Sequence, residues 1–390
     1  MRIITISILY ILLFSISGKA QVPQLSEQSR AVMFTCEPGT ELYAGFGHSA
    51  LWISDPANGI DRLYNYGTFD FNTPNFYVKF IRGKLDYMLS VTTNNRFLNE
   101  YQHRGIGVSA QTLNLKIDET QNLFRLLEEN LQPENRFYQY DFFYDNCATR
   151  IRDIVIEAAT GEIDFNDTDT GYTFRQLLFP YLEHTPWTKF GINLILGLAS
   201  DKRATPFDYM YLPEHMQHEF GKASISSEGK KHPLVIGERR LLESQHDFSY
   251  NILSDPALFF GALLLLVVLV TYREIRTGKY FKWLDITLNA IAVVAGLFLF
   301  FMWVGTDHVA TNYNLNILWL LPAQVVFLFS FLVNKRNQSK WVWTAFAIIA
   351  VVAMAMHLWP QPAETSFMII TLIYAFRYLF NKRINTAHAK

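Results

Sequence analysis

Apolar and polar positions divide the chain into two regimes. Beyond residue 256 five apolar stretches follow one another, near 257–272, 284–304, 315–333, 341–357 and 366–380. Each is about long enough to cross a hydrocarbon core of about 30 Å, the first marginally. Residues 22–250 instead mix polar and apolar positions in short periods. Alternation predicts strands over 30–36, 45–53, 62–69, 87–92 and 108–115. Asp55-Pro56-Ala57-Asn58-Gly59 predicts the turn of a hairpin between the second and third of these. Helices are expected over 94–103, over 118–130 with Asp118 as cap, and from 147 onward; 76–85 reads as a short aromatic helix or turn with a basic end. Residues 174–182 and 188–198 also look helical, and Asp201 to Pro206 opens another helix ending near Leu212-Pro213.

The N-terminus adds a third signal. Met1-Arg2, the apolar run 3–14 and the small residues from Ser15 to Ala20 form a secretory signal with cleavage after Ala20. Charge orients the spans. Arg273, Arg276, Lys279 and Lys282 lie between the first two, Lys335, Arg336 and Lys340 between the third and fourth, and Lys382 and Arg383 after the fifth. The loops 305–314 and 358–365 contain neither Lys nor Arg. By the positive-inside rule the basic loops and the C-terminus are cytoplasmic and the N-terminal domain is external, as a signal peptide requires. The expected layout is signal peptide 1–20, external domain 21–236, charged linker 237–256 and a membrane domain over 257–390 in the bacterial inner membrane.

Composition narrows the chemistry. A net charge of −1 over 390 residues gives no reason to expect a nucleic-acid partner. His184, His215, His218 and His232 have no tight ligand spacing, and neither a metal nor another cofactor is expected. A transporter is disfavoured because the apolar stretches carry almost no charge at midplane. There are two cysteines, Cys36 and Cys147, which an oxidising compartment could pair.

The candidate chemistry centres on Tyr140-Asp141-Phe142-Phe143-Tyr144-Asp145-Asn146-Cys147-Ala148-Thr149-Arg150. Asp145 and Asn146 are strong N-cap types. Cys147, Ile151, Ile154, Val155 and Ala158 then share one face, with Gly161 closing the helix. A cysteine in the first turn meets the positive end of the helix, which favours its thiolate. Such a nucleophile needs an imidazole, and the strand histidine His48 in Gly45-Phe46-Gly47-His48-Ser49 is the candidate. Asn65 on the returning strand could hold the ring, or Tyr66 or Asp61 in another register. Arg82, Arg104, Arg150 and Arg152 are candidate anion contacts. The external loop 305–314, with His308, Asn312 and Asn314, could complete a cleft at the membrane surface.

Histidine strand before cysteine helix is the reverse of the papain order. It resembles the circularly permuted papain-like group that includes lecithin:retinol acyltransferase, in which the cysteine also follows an asparagine, as Asn146-Cys147 does here. The whole chain is closer still to the Lnb-type lipoprotein N-acyltransferases of Gram-negative bacteria. The matching pieces are Gly47-His48-Ser49-Ala50, Asn65-Tyr66-Gly67-Thr68-Phe69-Asp70, Asp145-Asn146-Cys147-Ala148-Thr149-Arg150 and the five-span tail with Asn312 and Asn314. The resemblance implies an α+β permuted papain-like (NlpC/lecithin:retinol-acyltransferase-like) periplasmic domain before an all-α five-span domain. It implies a thiol enzyme that moves an acyl chain from a phospholipid donor to the N-terminal amine of a lipoprotein acceptor. Cys147, His48 and Asn65 would be catalytic, with Asn146, Tyr66, Arg150, Arg104, His308, Asn312 and Asn314 near the substrates. The rival readings are an exported thiol hydrolase of peptidoglycan or of phospholipid, and a non-catalytic module with Cys36 and Cys147 paired.

The charge pattern makes a topological prediction. Reporter fusions at Asp307 and at the C-terminus should lie on opposite sides of the membrane; reporters on the same side would refute the span count.

Overall fold

The computed structural model describes residues 22–165, 171–227, 229–247, 249–320, 322–333, 340–362 and 364–388. The expected signal peptide and the basic residues Lys335 and Arg336 lie outside the described residues.

Six strands come first: β1 (Arg30–Cys36), β2 (His48–Asp55), β3 (Ile60–Thr68), β4 (Asp86–Thr92), β5 (Val108–Leu113) and β6 (Phe137–Gln139). Later come β7 (Glu162–Asp164), β8 (Ser224–Ser227), β9 (Lys230–Pro233) and β10 (Val235–Leu242). The main sheet has seven strands in the order β10-β5-β1-β2-β3-β4-β6, with antiparallel neighbours throughout. A small sheet, β7-β8-β9, stands apart.

Both faces of the main sheet are covered, so alternation sorts apolar residues between two cores rather than between core and water. Met33, Leu51, Ile53 and Tyr64 bury against the helices Ile117–Asn130 and Cys147–Ala158. Val32, Phe34, Ala50 and Leu63 point the other way, onto Phe97 and Tyr101 of the helix Asn94–His103.

Several boundaries differ from those expected. The helix before β6 is opened by Lys116, whose N–H donates to Glu119 at 2.8 Å, and not by Asp118. The Cys147 helix ends at Ala158 with an extended Ala159 as cap; Gly161 does not close it. Gly161 instead lies against Ser226, where a Cβ would strike backbone. The residues before Leu212 make only the four-residue helix Pro206–Tyr209, and a separate helix, Pro213–Lys222, follows. Residues 237–242, expected as linker, belong to β10 and pair with β5 at the sheet edge. Their charges had hidden the strand: on an edge, Glu238, Arg239 and Arg240 can face water.

In the C-terminal half, the helices Pro256–Thr277 and Lys282–Val304 are long and apolar enough to cross a membrane, and two further apolar helices follow, Lys340–Met356 and Thr365–His388. The third expected span, 315–333, is not one helix. It breaks into the 3-10 turns Leu315–Leu318 and Pro322–Gln324 and the helix Val325–Leu332. Pro322 cannot continue a helical hydrogen-bond ladder, and Asn316 is drawn out to Leu194 O at 3.1 Å.

The apolar composition of these helices conceals one buried ionic group. Arg377 bonds Glu274 and Thr271 at 2.7 Å each and also pairs with Asp285. Tyr280 and Asn381 donate to the same Asp285 carboxylate at 2.6 and 3.0 Å. The guanidinium therefore ties three helices together in the buried interior. Removing it would strand two buried carboxylates, which typically costs about 3–5 kcal/mol. Arg377→Leu should lower the melting temperature of the detergent-solubilised protein sharply; an unchanged transition would show that the cluster is not structural.

Candidate active site

The Cys147 helix starts where it does because Asn146 uses every polar group it has. Its Oδ1 accepts from Ala148 N–H at 2.8 Å and Thr149 N–H at 3.0 Å. Its Nδ2 donates to the carbonyls of Phe142 and Tyr211 at 2.8 and 2.9 Å. Its own N–H reaches Thr149 Oγ1 at 2.8 Å, completing a reciprocal cap. Asn146 is thus a buried cap with nothing left over for a substrate. The loop before it is held by Asp141, whose Oδ1 accepts from Phe143 and Tyr144 N–H at 2.9 Å each.

Cys147 is buried in the first turn. Its sulfur is hydrogen-bonded to the His48 ring and accepts from the backbone N–H groups of Ser49 and Ala148. His48 Nε2–H donates to Asn65 Oδ1 at 2.6 Å. That bond fixes the tautomer and leaves Nδ1 to meet the thiol. Tyr66 and Asp61 are occupied elsewhere: Tyr66 Oη accepts from Asn130 at 2.8 Å, and Asp61 accepts from Trp52 Nε1–H at 2.7 Å. Sequence had left three residues open for this position, and the register places Asn65 there.

Burial works against a thiolate, but the His48 charge, its hydrogen bond and the two backbone donors together hold the Cys147 pKa below the ordinary thiol value. Burial likewise works against imidazolium, but the adjoining Cys147 outweighs it and the His48 pKa is raised. Cys36 differs: burial pushes its thiol far up, and it hydrogen-bonds Tyr101. Although Cys36 faces His48 across β1 and β2, both cysteines are free.

Other expected contacts are distributed more widely. Arg150 lies over the Tyr138 ring at 3.6 Å and is held by both oxygens of Asp145, at 2.6 and 2.7 Å. Arg104 packs on Tyr43 and Tyr101 and reaches Glu41 at 3.5 Å. Arg152 pairs with Asp153 at 2.7 Å, while Arg82 is exposed. The loop 305–314 is a joint between the two halves of the chain. Asn314 Nδ2 donates to Leu194 and Ile195 O at 2.8 and 2.9 Å, Asn312 O accepts from Ala199 N–H at 3.5 Å, and His308 Nε2 meets Phe80 O at 3.0 Å. These three residues are not brought to Cys147 by any of those bonds.

Two glycines, present in the sequence motifs without an assigned role, complete the site. Gly47, with φ +77°, turns the chain into β2; a Cβ there would come 2.7 Å from Cys36 O. Gly67, with φ +83°, lies where β3 loses register with β4. A Cβ on Gly67 would stand 3.6 Å from Cys147 Cβ and 3.8 Å from the Tyr140 ring, so its absence leaves space beside the sulfur. The glycine one residue before a strand histidine and the Asn-Tyr-Gly step in β3 were the available signals.

Two family models match the chain: the Lnb N-terminal periplasmic domain over residues 24–180 and the Lnb transmembrane domain over 247–388. The chain belongs to the Lnb family. No curated protein and no solved structure matches it. Lnb membership makes it a membrane protein with a periplasmic N-terminal domain and points to a membrane-associated, lipoprotein-modifying enzyme. His48, Asn65 and Cys147 all fall within the periplasmic match, whereas Pro213–Lys222 and β8 to β10 lie outside both.

The pair predicts a pH signature in this Lnb protein. Thiolate should persist below the pH at which a free thiol protonates, and the Cys147⁻–His48⁺ form should be lost as pH falls through the lowered Cys147 pKa or rises through the raised His48 pKa. Alkylation of Cys147 by iodoacetamide should therefore continue well below pH 8 in wild type and shift to higher pH in His48→Ala, with Cys36 unreactive. Identical profiles in both proteins would disprove the pairing.

Proposed function

We propose that this Lnb protein transfers an acyl chain from a membrane phospholipid to the N-terminal amine of lipoproteins, through a thioester on Cys147. The observation that carries the reading is the Cys147–His48–Asn65 arrangement at a helix start, in a chain that also has the Lnb transmembrane domain. Histidine strand before cysteine helix supports a permuted papain-like reading of the periplasmic domain. The basic loops support an inner-membrane location with the C-terminus in the cytoplasm.

In the first step the Cys147 thiolate attacks the phospholipid ester carbonyl. The tetrahedral intermediate collapses as His48⁺ gives its proton to the departing alkoxide, leaving lysolipid and thioester. In the second step a lipoprotein amine attacks the thioester. His48 takes the amine proton, an amide forms, and the thiolate is restored. Asn65 orients the ring as a positioning residue. The backbone N–H of Cys147 is the candidate oxyanion donor, because first-turn amides have no partner within the helix. No cofactor enters either step.

Water must be kept from the thioester, or lipid would merely be hydrolysed. Supporting this, Phe142 and Phe143 pack into an aromatic group with Phe174 and Tyr211 directly before the nucleophile. Burial of Cys147 in the core between the sheet and the helices has the same effect.

The test supplies purified enzyme with phospholipid bilayers and a diacylated lipopeptide bearing a free amine. An amide-linked third chain and an equal amount of lysolipid are expected, both lost by several orders of magnitude in Cys147→Ala and His48→Ala but retained in Cys36→Ala. Lysolipid with free fatty acid and no acylated peptide would instead mark a phospholipase. Cleaved muropeptide with untouched lipid would mark a cell-wall hydrolase.

A further inference from the structure

The short helix Phe76–Ile81 exposes an unusual amount of apolar surface for a folded domain. Tyr77 is 74% exposed, Val78 57%, Phe80 46% and Ile81 41%. Phe71, beside it, is 62% exposed. A contiguous apolar patch of this kind commonly marks a surface meant to be covered.

The location of the helix identifies the cover. Its last turn is fastened to the outer end of a membrane-spanning helix. His308 Nε2 meets Phe80 O at 3.0 Å, and Asp307 N–H donates to Arg82 O at 3.0 Å. Lys84 adds an ion pair with Asp307 at 3.6 Å. Asp307 stands three residues after Val304, the last residue of the span, which is itself 61% exposed. Phe300 and Phe301, one turn earlier, are exposed too. The apolar face of Phe76–Ile81 is therefore continuous with the lipid-facing surface of the span, at the level where hydrocarbon gives way to headgroups. Lys79 and Arg82 stand on the same short segment, and Lys84 follows it. Apolar side chains flanked by lysine and arginine suit an element lying in the plane of a membrane carrying phosphate headgroups.

An aromatic path leads inward from this face. Phe80 stacks on Phe76 at 6.2 Å, and Phe76 contacts Phe69 at 5.8 Å. Phe69 meets Tyr87 at 5.4 Å, and Tyr87 stacks on Tyr140 at 4.4 Å. The Tyr140 ring then borders the space that Gly67 leaves open beside Cys147. The rings thus form a continuous line of aromatic contacts from the exposed helix to the Cys147 side chain.

We infer that Phe76–Ile81 is a membrane-inserted lipid-entry element: its Tyr77, Val78, Phe80 and Ile81 side chains lie among the acyl chains of the outer leaflet, and a phospholipid reaches Cys147 along the aromatic path behind them. Insertion stands on geometry alone, whereas delivery to Cys147 rests on the acyl-transfer reading above.

The experiment uses the full chain in phospholipid bilayers. A nitroxide attached at Val78→Cys, with Cys36 and Cys147 replaced by alanine, is compared with one at Asp118→Cys on the exposed surface of the periplasmic domain. Collisions with oxygen should dominate at position 78, and collisions with a water-soluble nickel chelate at position 118. Equal nickel access at both positions would overturn insertion. In the otherwise native chain, Val78→Asp with Ile81→Asp should lower turnover of bilayer phospholipid at least tenfold while Cys147 alkylation stays at the wild-type rate. Full turnover in that variant would overturn lipid entry. If the wild-type protein moves no acyl chain at all, the acyl-transfer reading fails, and the nitroxide comparison still decides whether the helix is inserted.

Discussion

A thiol and an imidazole hydrogen-bonded to each other, the thiol buried and the ring partly so, constrain everything around them. Each charged form loses hydration on burial, and that loss must be offset by fixed partners at short range. Here the sulfur has two backbone donors, Ser49 and Ala148 N–H, besides the ring. The ring has Asn65 on its far nitrogen. These groups come from β2, β3 and the Cys147 helix, so their alignment is a property of the sheet. The register that pairs Cys36 with His48 and Leu51 with Tyr64 fixes the ring. Apolar residues packed on both faces keep β1, β2 and β3 from slipping, since a one-residue slip would exchange the two cores.

The halves of the chain are joined by side chains that read backbone carbonyls. The Pro186–Ile195 helix ends with carbonyls that no longer have partners in the helix. Asn314 takes those of Leu194 and Ile195, Gln361 reaches Leu196 at 3.4 Å, and Arg175 reaches Leu196 and Gly197 at 3.1 Å each. Arg175 is itself held by Asp201. Donors from the membrane domain and from the periplasmic domain thus meet on one helix end. Directional bonds of this kind fix height and rotation more firmly than an apolar contact could, because each bond is lost if the halves turn.

Local chemistry was the legible part of the sequence. The β2–β3 hairpin was readable from Asp55 to Gly59, where Gly59 at φ +67° supplies the turn. The Asn146 cap was readable because N-cap preference is a first-turn effect. Strands whose pattern is set from afar were not. β10 is charged along one edge and pairs with β5, more than a hundred residues earlier, so nothing local marks it. The third apolar stretch looked continuous because hydropathy does not register that Asn314 and Asn316 are needed as donors to another helix. In the candidate site, Cys147 and His48 could be paired by type, but the choice among Asn65, Tyr66 and Asp61 needed the register. The role of Gly67, though the residue stands in the Asn65-Tyr66-Gly67 motif, was not legible for a simpler reason: its contribution is the absence of a side chain.

The electrostatics around the sulfur suit transfer better than tight anion storage. Three residues along from Cys147, Arg150 could have served as a permanent counter-ion. Instead Asp145 binds its guanidinium through both oxygens, which cancels most of its field at the thiolate. The phenols nearby contribute no charge: burial raises Tyr87 to about 12 and Tyr140 well above its ordinary value. The counter-charge closest to the sulfur is therefore a proton on His48, which can leave. A thiolate held by a fixed cation would be more populated but less nucleophilic, because nucleophilicity falls with thiol pKa. A proton on His48 lowers the thiol pKa as well, but it can leave, and it is already positioned for the leaving group. That arrangement fits the proposed reaction, in which the same sulfur is acylated and then released.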